Sequence, residues 1–147
     1  MSDGLLRLAT LPDELSQGYA GRLARINGLD SINALERQLR MRFAQEASER
    51  GRHASKVELL ASMAGMPLRA YVQEHSMLAV WRGVSGPSLR RDPELDFHQG
   101  LLTYGIRASR SALHFCAECA KADVAFHGMS YWRRENQIPG VYACSKH

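Results

Sequence analysis

Apolar residues recur at helical spacing near the start of the chain. One turn apart lie Leu15, Tyr19, Leu23 and Ile26. This spacing predicts a helix with one buried face. A Pro followed by two acids, at residues 12–14, suits the entrance of that helix, and Asn27-Gly28 suits its end. The mixed segment before it, residues 1–10, is expected to form an edge strand or a docked arm.

A second apolar stripe predicts another helix after a short turn. Its members are Ile32, Leu35, Leu39, Phe43 and Ala47. The helix is expected to begin near Asp30 or Ser31 and to end at Gly51. The arginines between these apolar positions are expected to face water or a partner.

Two shorter helices are predicted over residues 55–75. Ser55 and Glu58 have the spacing of a capping box, in which each side chain satisfies a free amide of the other residue. Gly65 ends this helix, and Pro67 starts another that runs to about His75. Helix, glycine turn and helix together outline a helix-turn-helix.

The second of these helices carries the candidate base contacts. Arg69 and Gln73 are suited to a DNA groove, whereas phosphate would repel Glu74. Hairpins of this pattern also serve as plain packing units, so reading of DNA by this helix is one of two interpretations.

Glycines and prolines punctuate residues 83–100, which we interpret as a connector. We therefore expect a helical domain over residues 1–100 and a small module over residues 101–147. The predicted fold class is mainly α: a helical bundle containing the helix-turn-helix-like hairpin, followed by a small zinc-ribbon module.

Length and composition narrow the class of protein. The chain has 147 residues, of which 45% are hydrophobic, so one or two small globular domains are expected. No apolar run approaches the roughly 20 residues of a membrane span. No secretory signal is visible at the start, and a cytoplasmic location is expected.

The formal net charge of +4 comes mostly from arginine, with 16 Arg against 3 Lys. Arginine favours phosphate and carboxylate partners, because its planar guanidinium donates in pairs. The same excess also arises on solvated helix faces without any partner. Charge alone therefore leaves nucleic acid, an acidic protein surface and plain solvation open.

All three cysteines lie in the last 32 residues. Cys116 and Cys119 form a Cys-x-x-Cys pair, and Cys144 and His147 form a Cys-x-x-His pair that begins 25 residues after Cys119. Two such pairs supply the four thiolate and imidazole ligands of a tetrahedral zinc. The apolar segments before each pair are expected to be strands leading into two knuckles.

Two alternatives to zinc are a redox pair at Cys116 and Cys119, and thiols that are simply buried. A redox pair would require a βαβ context, which the pattern does not show. His114 and His127 are other candidates for the fourth ligand, although the spacing favours His147. A site with four protein ligands leaves no position for substrate or water, so it predicts a structural role.

Aromatic and basic residues stand side by side between the two pairs, in the run Tyr131-Trp132-Arg133-Arg134. This composition is enriched at interfaces, so these four residues are candidate contacts with a partner or with DNA. The other interpretation is that the aromatic rings pack over the zinc site while the arginines are solvated.

The run Tyr131-Trp132-Arg133-Arg134-Glu135-Asn136-Gln137-Ile138-Pro139-Gly140-Val141, together with both ligand pairs, resembles the TniQ family of transposition proteins. Near the start, Leu11-Pro12-Asp13-Glu14-Leu15, Tyr19, Arg22-Leu23-Ala24 and Asn27-Gly28 are similar to the family's amino-terminal motif. The resemblance covers both ends of the chain, and the middle matches only in helical character.

Four positions depart from the family pattern. Ala117 and Ser145 stand where Pro is frequent, Asn136 where His is usual, and Tyr19 where Trp is usual. The absence of the two prolines removes no ligand of the predicted zinc, and Asn136 leaves zinc binding intact only if the His usual at that position serves packing or hydrogen bonding. Family members usually continue past the last zinc ligand, so a truncated chain or a minimal member is expected.

The resemblance implies a role that composition does not. Proteins of this family are non-enzymatic adaptors that link target DNA, or an RNA-guided target complex, to an AAA+ ATPase of transposition. A homodimer is compatible with this expectation. The alternative is a zinc-containing helix-turn-helix regulator. We expect no enzyme, because the sequence has no His-Asn-His motif, no paired acids at helical spacing and no glycine-rich phosphate loop.

Overall fold

A computed structural model describes residues 4–46, 54–85 and 112–147. Six α-helices lie in these ranges: α1 Ser16–Ile26, α2 Ile32–Glu46, α3 Lys56–Ala64, α4 Leu68–His75, α5 Leu78–Ser85 and α6 Ala117–His127. A single 3-10 turn covers Glu135–Gln137. No strand forms within the described ranges, so the predicted mainly helical class is confirmed.

The core lies where α1, α2 and α3 meet, and α4 continues it. The predicted stripes supply its centre, because Tyr19, Leu23, Leu35 and Leu39 are all almost fully buried. Ile26 is the exception among the predicted core positions. It is the last residue of α1 and remains 45% exposed.

The helix ends follow local chemistry that the sequence displays. Ser55 caps α3 in a complete capping box with Glu58, as predicted. Gly65 ends α3 in the left-handed conformation, with φ 69°, which a glycine adopts without strain. The two helices predicted over residues 55–75 therefore form where they were predicted, and they contact each other.

Residues 4–10 form a docked arm and not a strand. The side chain of Asn27 accepts from the amide of Leu6 at 2.7 Å and donates to the carbonyl of Leu6 at 3.1 Å. The hydroxyl of Tyr19 donates to the carbonyl of Leu8 at 2.8 Å. These bonds hold the arm along α1.

The predicted connector over residues 83–100 is wrong at its start, because α5 continues through Gly83 to Ser85. The rest of that connector, the boundary near residue 100 and the helix end at Gly51 lie outside the described residues. None of the helices in the described part is both long enough and apolar enough to cross a membrane.

Candidate metal centre and its junction with the helical body

The four predicted ligands converge near the carboxyl end. The sulfurs of Cys116, Cys119 and Cys144 and a ring nitrogen of His147 all lie within 4.8 Å of one another. Nδ1 of His147 is 3.4 Å from the sulfur of Cys116 and 3.6 Å from each of the other two sulfurs. The fold therefore brings Cys116 and His147, which are 31 residues apart in the sequence, into contact.

These distances fit a tetrahedral zinc. With bond lengths typical of zinc, neighbouring ligand atoms would lie about 3.8 Å apart for two sulfurs and about 3.6 Å apart for sulfur and nitrogen. The sulfurs of Cys119 and Cys144 are 3.6 Å apart, well beyond a disulfide bond, and all three thiols are free. The group can therefore hold a metal ion, and three thiolates with one imidazole are a set that zinc prefers.

A helix start positions the first pair. Cys116 is the N-cap of α6, and its carbonyl accepts the amide of Ala120 at 2.9 Å. Cys119 follows three residues on, so both thiols lie on the same side of the first turn. The helix dipole favours negative charge there, which suits thiolates. The predicted strand before this pair is absent, because the chain enters the helix directly at Cys116.

The second pair lies on irregular backbone. The amide of Lys146 donates to the sulfur of Cys144 at 3.4 Å, which curls the chain so that His147 returns toward the same point. The strand expected before Cys144 is also absent, since residues 141–147 adopt no regular structure. A side chain two residues from Cys144, Tyr142, is 86% exposed.

The thiols differ in acidity. The amide of Lys146 and the imidazole of His147 lower the pKa of Cys144 to about 6. Burial raises the pKa of Cys119 to about 11. Zinc binds cysteine as thiolate, so metal binding at this group would release the protons that its thiols still carry.

The other two histidines considered as ligands do not join the group. The ring of His127 packs edge-on against Tyr131 and Phe126. His114 precedes the first ligand by two residues and is held through its backbone. The spacing argument that favoured His147 therefore matches the geometry.

Gln137 fixes the approach to the first ligand pair. This side chain is fully buried. Its amide accepts from the N–H of His114 at 3.1 Å and donates to the carbonyl of His114 at 2.7 Å, and also to the carbonyl of Arg133 at 3.1 Å. Gln137 thereby ties the backbone just before Cys116 to the segment between the two ligand pairs.

That segment is also bonded to the start of the chain. The amide of Leu15 donates to the carbonyl of Trp132 at 2.8 Å, and the hydroxyl of Tyr131 donates to the carbonyl of Pro12 at 3.0 Å. Glu14 and Arg133 form an antiparallel bridge. The two regions that resemble the TniQ motifs therefore pack on each other.

The two arginines predicted as partner contacts are engaged within the chain. A guanidinium N–H of Arg133 donates to Asp123 at 2.5 Å, and that carboxylate is buried. Arg134 pairs with Asp13 at 2.9 Å and also donates to the carbonyls of Gln73 and Ser76. These arginines therefore stabilise the fold of the segment, whatever else they contact.

The other predicted contacts are more open. Trp132 is half-buried, and its ring meets Phe115 edge-on at 6.1 Å between centroids. On α4, the side chains of Arg69 and Gln73 are exposed. Tyr131, the remaining predicted contact, is distant from both residues in the sequence and is largely buried.

Sequence reasoning missed Asp13, Asp123 and Gln137 as structural residues. The sequence gives only a weak indication of the role of Asp13, because an acid before a helix is usually explained by its interaction with the helix dipole. Its φ of 55° instead turns its carboxylate and carbonyl toward Arg134 and Glu135. Nothing in the local pattern marks Asp123 or Gln137, since their partners are fixed only by the tertiary fold.

A family model described as TniQ matches residues 5–147. TniQ proteins are transposition-associated adaptors. No curated protein and no solved structure matches the chain.

Proposed function

The chain belongs to the TniQ family, and on that premise we propose that it is a non-enzymatic adaptor linking target DNA, or an RNA-guided target complex, to an AAA+ ATPase of transposition. The observation that carries the proposal is the family match over nearly the whole chain, because it includes both motif regions that pack together at the junction. A cytoplasmic location fits this role.

We further propose that Cys116, Cys119, Cys144 and His147 bind one structural zinc. Four protein ligands fill a tetrahedral site, so the ion would have no open position for a substrate. The zinc would contribute folding energy to the last part of the chain, which has α6 as its only α-helix among residues 112–147.

The adaptor would use a carboxy-terminal module, residues 101–147, mounted on a helical domain, residues 1–100. The junction supports this arrangement, because Asp13 and Leu15 bond directly to the segment at residues 131–135. Trp132 offers a partly exposed ring at that segment. The contact surface would be supported from inside the protein by Tyr131, Arg133 and Arg134.

Capture of the cognate ATPase tests the adaptor role. The protein, loaded with zinc and immobilised, is expected to retain the ATPase, and target DNA is expected to increase the retained amount. A Cys144→Ser variant serves as the matched control, because loss of the metal should loosen the module and reduce capture. If the zinc-loaded protein bound neither the ATPase nor target DNA, the adaptor role would be rejected.

A second candidate function is a zinc-containing DNA-binding regulator. It is favoured by the α3–α4 hairpin, on which the side chains of Arg69 and Gln73 are exposed. Duplex binding measured against salt concentration tests it. Sequence-specific binding that is lost in an Arg69→Ala, Gln73→Ala double variant would support a regulator, whereas a steep salt slope without sequence preference would indicate phosphate contact alone.

A further inference from the structure

A cleft of about 220 Å³ lies between α1 and the segment at residues 130–132. Its floor is the face of α1 that carries Gly18 and Gly21, and its opposite wall is formed by Ser130, Tyr131 and Trp132. The cleft is separate from the metal group, whose four ligands do not line it.

Neighbouring residues hold Trp132 in place along the wall of this cleft. A methyl group at Gly18 would lie 3.4 Å from Trp132, so a side chain larger than that of glycine would touch Trp132 at this point of the helix. Phe115 packs edge-on against the same indole, and the amide of Leu15 holds the carbonyl of Trp132. The indole therefore cannot swing inward to fill the cleft without breaking these contacts.

The cleft offers hydrogen-bond donors that the protein itself does not use. Among the described residues, the side chains of Gln17, Arg25 and Ser130 and the indole N–H of Trp132 have no hydrogen-bonding or ionic partner. At Gly21, by contrast, the surface is bare backbone with open space in front of it. A ligand can therefore approach the helix closely between these donors.

The charge in the cleft is positive. Two arginines line it, and no carboxylate does so in the part of the chain that the structure describes. Arg22 is neutralised by Glu14, which lies 2.6 Å away and is fully buried. Arg25 is exposed and has no such counter-ion among residues 4–46, 54–85 and 112–147. An anion would neutralise the charge of Arg25 and would accept hydrogen bonds from several of the free donors at once.

We propose that this cleft binds a backbone phosphate of a nucleic acid strand. The inference rests on the proposed function, in which nucleic acid is one of the two things the adaptor connects. A phosphate diester has two free oxygens that can accept from Arg25, Gln17 and Ser130 together. The aromatic wall at Trp132 favours a nucleic acid over an acidic peptide, because it places an indole beside the phosphate where a sugar or base would follow.

The proposed phosphate binding can be tested by tryptophan fluorescence, because only one of the two tryptophans of the chain, Trp132, lines the cleft. A Trp81→Phe variant of the full, zinc-loaded protein leaves Trp132 as its single tryptophan, so fluorescence reports on the cleft. The probe is a mixed-sequence DNA duplex titrated at several salt concentrations. We expect it to change the Trp132 emission, and Arg25→Ala should weaken binding and lower the salt slope by about one.

Two further variants separate the cleft from general charge. Gly21→Met should block the cleft without changing any charge, and the structure has room for the side chain at that position. Arg37→Ala removes an exposed cation of α2 that does not line the cleft. Gly21→Met is expected to weaken DNA binding, whereas Arg37→Ala should leave both the emission change and its Arg25 dependence intact.

Several results would overturn the proposal. These are an unchanged Trp132 signal on adding DNA, equal losses in Arg25→Ala and Arg37→Ala, and a polyglutamate peptide that binds as well as DNA through Arg25. Saturation by inorganic phosphate at concentrations where DNA fails to bind would also overturn it. If capture of the ATPase persists in any of these cases, only the cleft proposal fails, whereas loss of both activities rejects the adaptor role itself.

Discussion

Asp13 accepts two hydrogen bonds from Arg134, which lies 121 residues later in the sequence, and a third from Glu135. The carboxylate of Asp13 accepts from Nε of Arg134 and from the amide of Glu135, each at 2.9 Å. The carbonyl of Asp13 accepts the amide of Arg134, also at 2.9 Å. A single residue before α1 therefore holds the segment that leads toward the second ligand pair.

Replacing Asp13 by Ala should destabilise the protein. Two of the three bonds are lost, and Arg134 is left half-buried without its counter-ion, so a loss of about 1–3 kcal/mol in the free energy of unfolding is expected. The left-handed backbone at this position adds a cost for Ala, because Asp adopts that conformation more readily. Urea unfolding of the zinc-loaded protein measures the change.

Asp13→Asn and Asp30→Ala are the matched controls for this prediction. Asn tolerates the same backbone and keeps an acceptor for Arg134 or Glu135, so its effect should be smaller than that of Ala. Asp30 is an exposed acid outside the junction, and its removal should change the stability little. Equal effects of Asp13→Ala and Asp30→Ala would show that the junction contributes nothing to stability.

Gln137 should control how firmly the metal is held. A Gln137→Leu variant keeps the approximate size of the side chain but leaves both backbone groups of His114 without these partners. Each buried group that loses its partner costs about 1–3 kcal/mol, and the backbone before Cys116 is no longer fixed. We expect faster transfer of zinc to a coloured chelator than in the wild type, with the metal content at the start unchanged.

Asn136 provides a control for the prediction about Gln137. Asn136 lines the open cleft beside the metal group, and an Asn136→Ala change should leave the rate of zinc transfer near that of the wild type. Wild-type transfer rates in Gln137→Leu would indicate that the hydrogen bonds to His114 do not support the ligand pair.

Ser55 should contribute through its cap alone. Its hydroxyl accepts the amide of Glu58, and the carboxylate of Glu58 accepts the amide of Ser55. Ser55→Ala is expected to lower the free energy of unfolding by about 1 kcal/mol, whereas Ser55→Asp should restore most of it because Asp is also a good cap. A stability of Ser55→Ala equal to that of the wild type would contradict the capping role.

Glu36 should make stability depend on pH. Burial opposes ionisation of Glu36, but hydrogen bonds from Lys56 and Arg40 outweigh it and lower its pKa. A lowered pKa means that the stabilisation is present above the unfolded pKa, about 4.3 for Glu. It is lost as the pH falls through the lower, folded value.

The measurement for Glu36 is the difference in unfolding free energy between the wild type and Glu36→Gln. That difference should be larger at neutral pH than at pH 3, and any loss of zinc in acid affects both proteins alike. Lys56 joins α3 to Glu36 on α2 at 2.6 Å, so the effect belongs to that helix contact. A difference independent of pH would mean that the ion pairs do not stabilise the fold.

The sequence predicted the features that depend on near neighbours. The apolar stripe of α2, the cap at Ser55 and the glycine turn at Gly65 are local patterns, and each appears at its predicted place. The two-residue spacers also predicted which four side chains, the candidate metal ligands, converge in the structure. The TniQ resemblance was confirmed over residues 5–147.

Contacts between distant parts of the chain were not predictable from the pattern. Arg133 reads as a solvated or partner-binding cation in sequence, yet its charge is matched by Asp123, ten residues earlier on α6. The strand predicted before Cys116 failed because apolar residues before a ligand pair fit a helix entrance equally well. Only the tertiary fold decides between these cases.

The most direct test of the structural zinc is the metal content of the purified protein, measured by elemental analysis on a known number of chains. We predict one zinc per chain in the wild type and none in Cys116→Ser or Cys144→Ser. In those variants the near-ultraviolet dichroism, to which Trp132 and Tyr131 contribute, should also decrease, because binding energy at the site is folding energy there. A wild-type protein that carries no zinc, takes up none when it is added and still shows the native dichroism would contradict a structural zinc at these four residues.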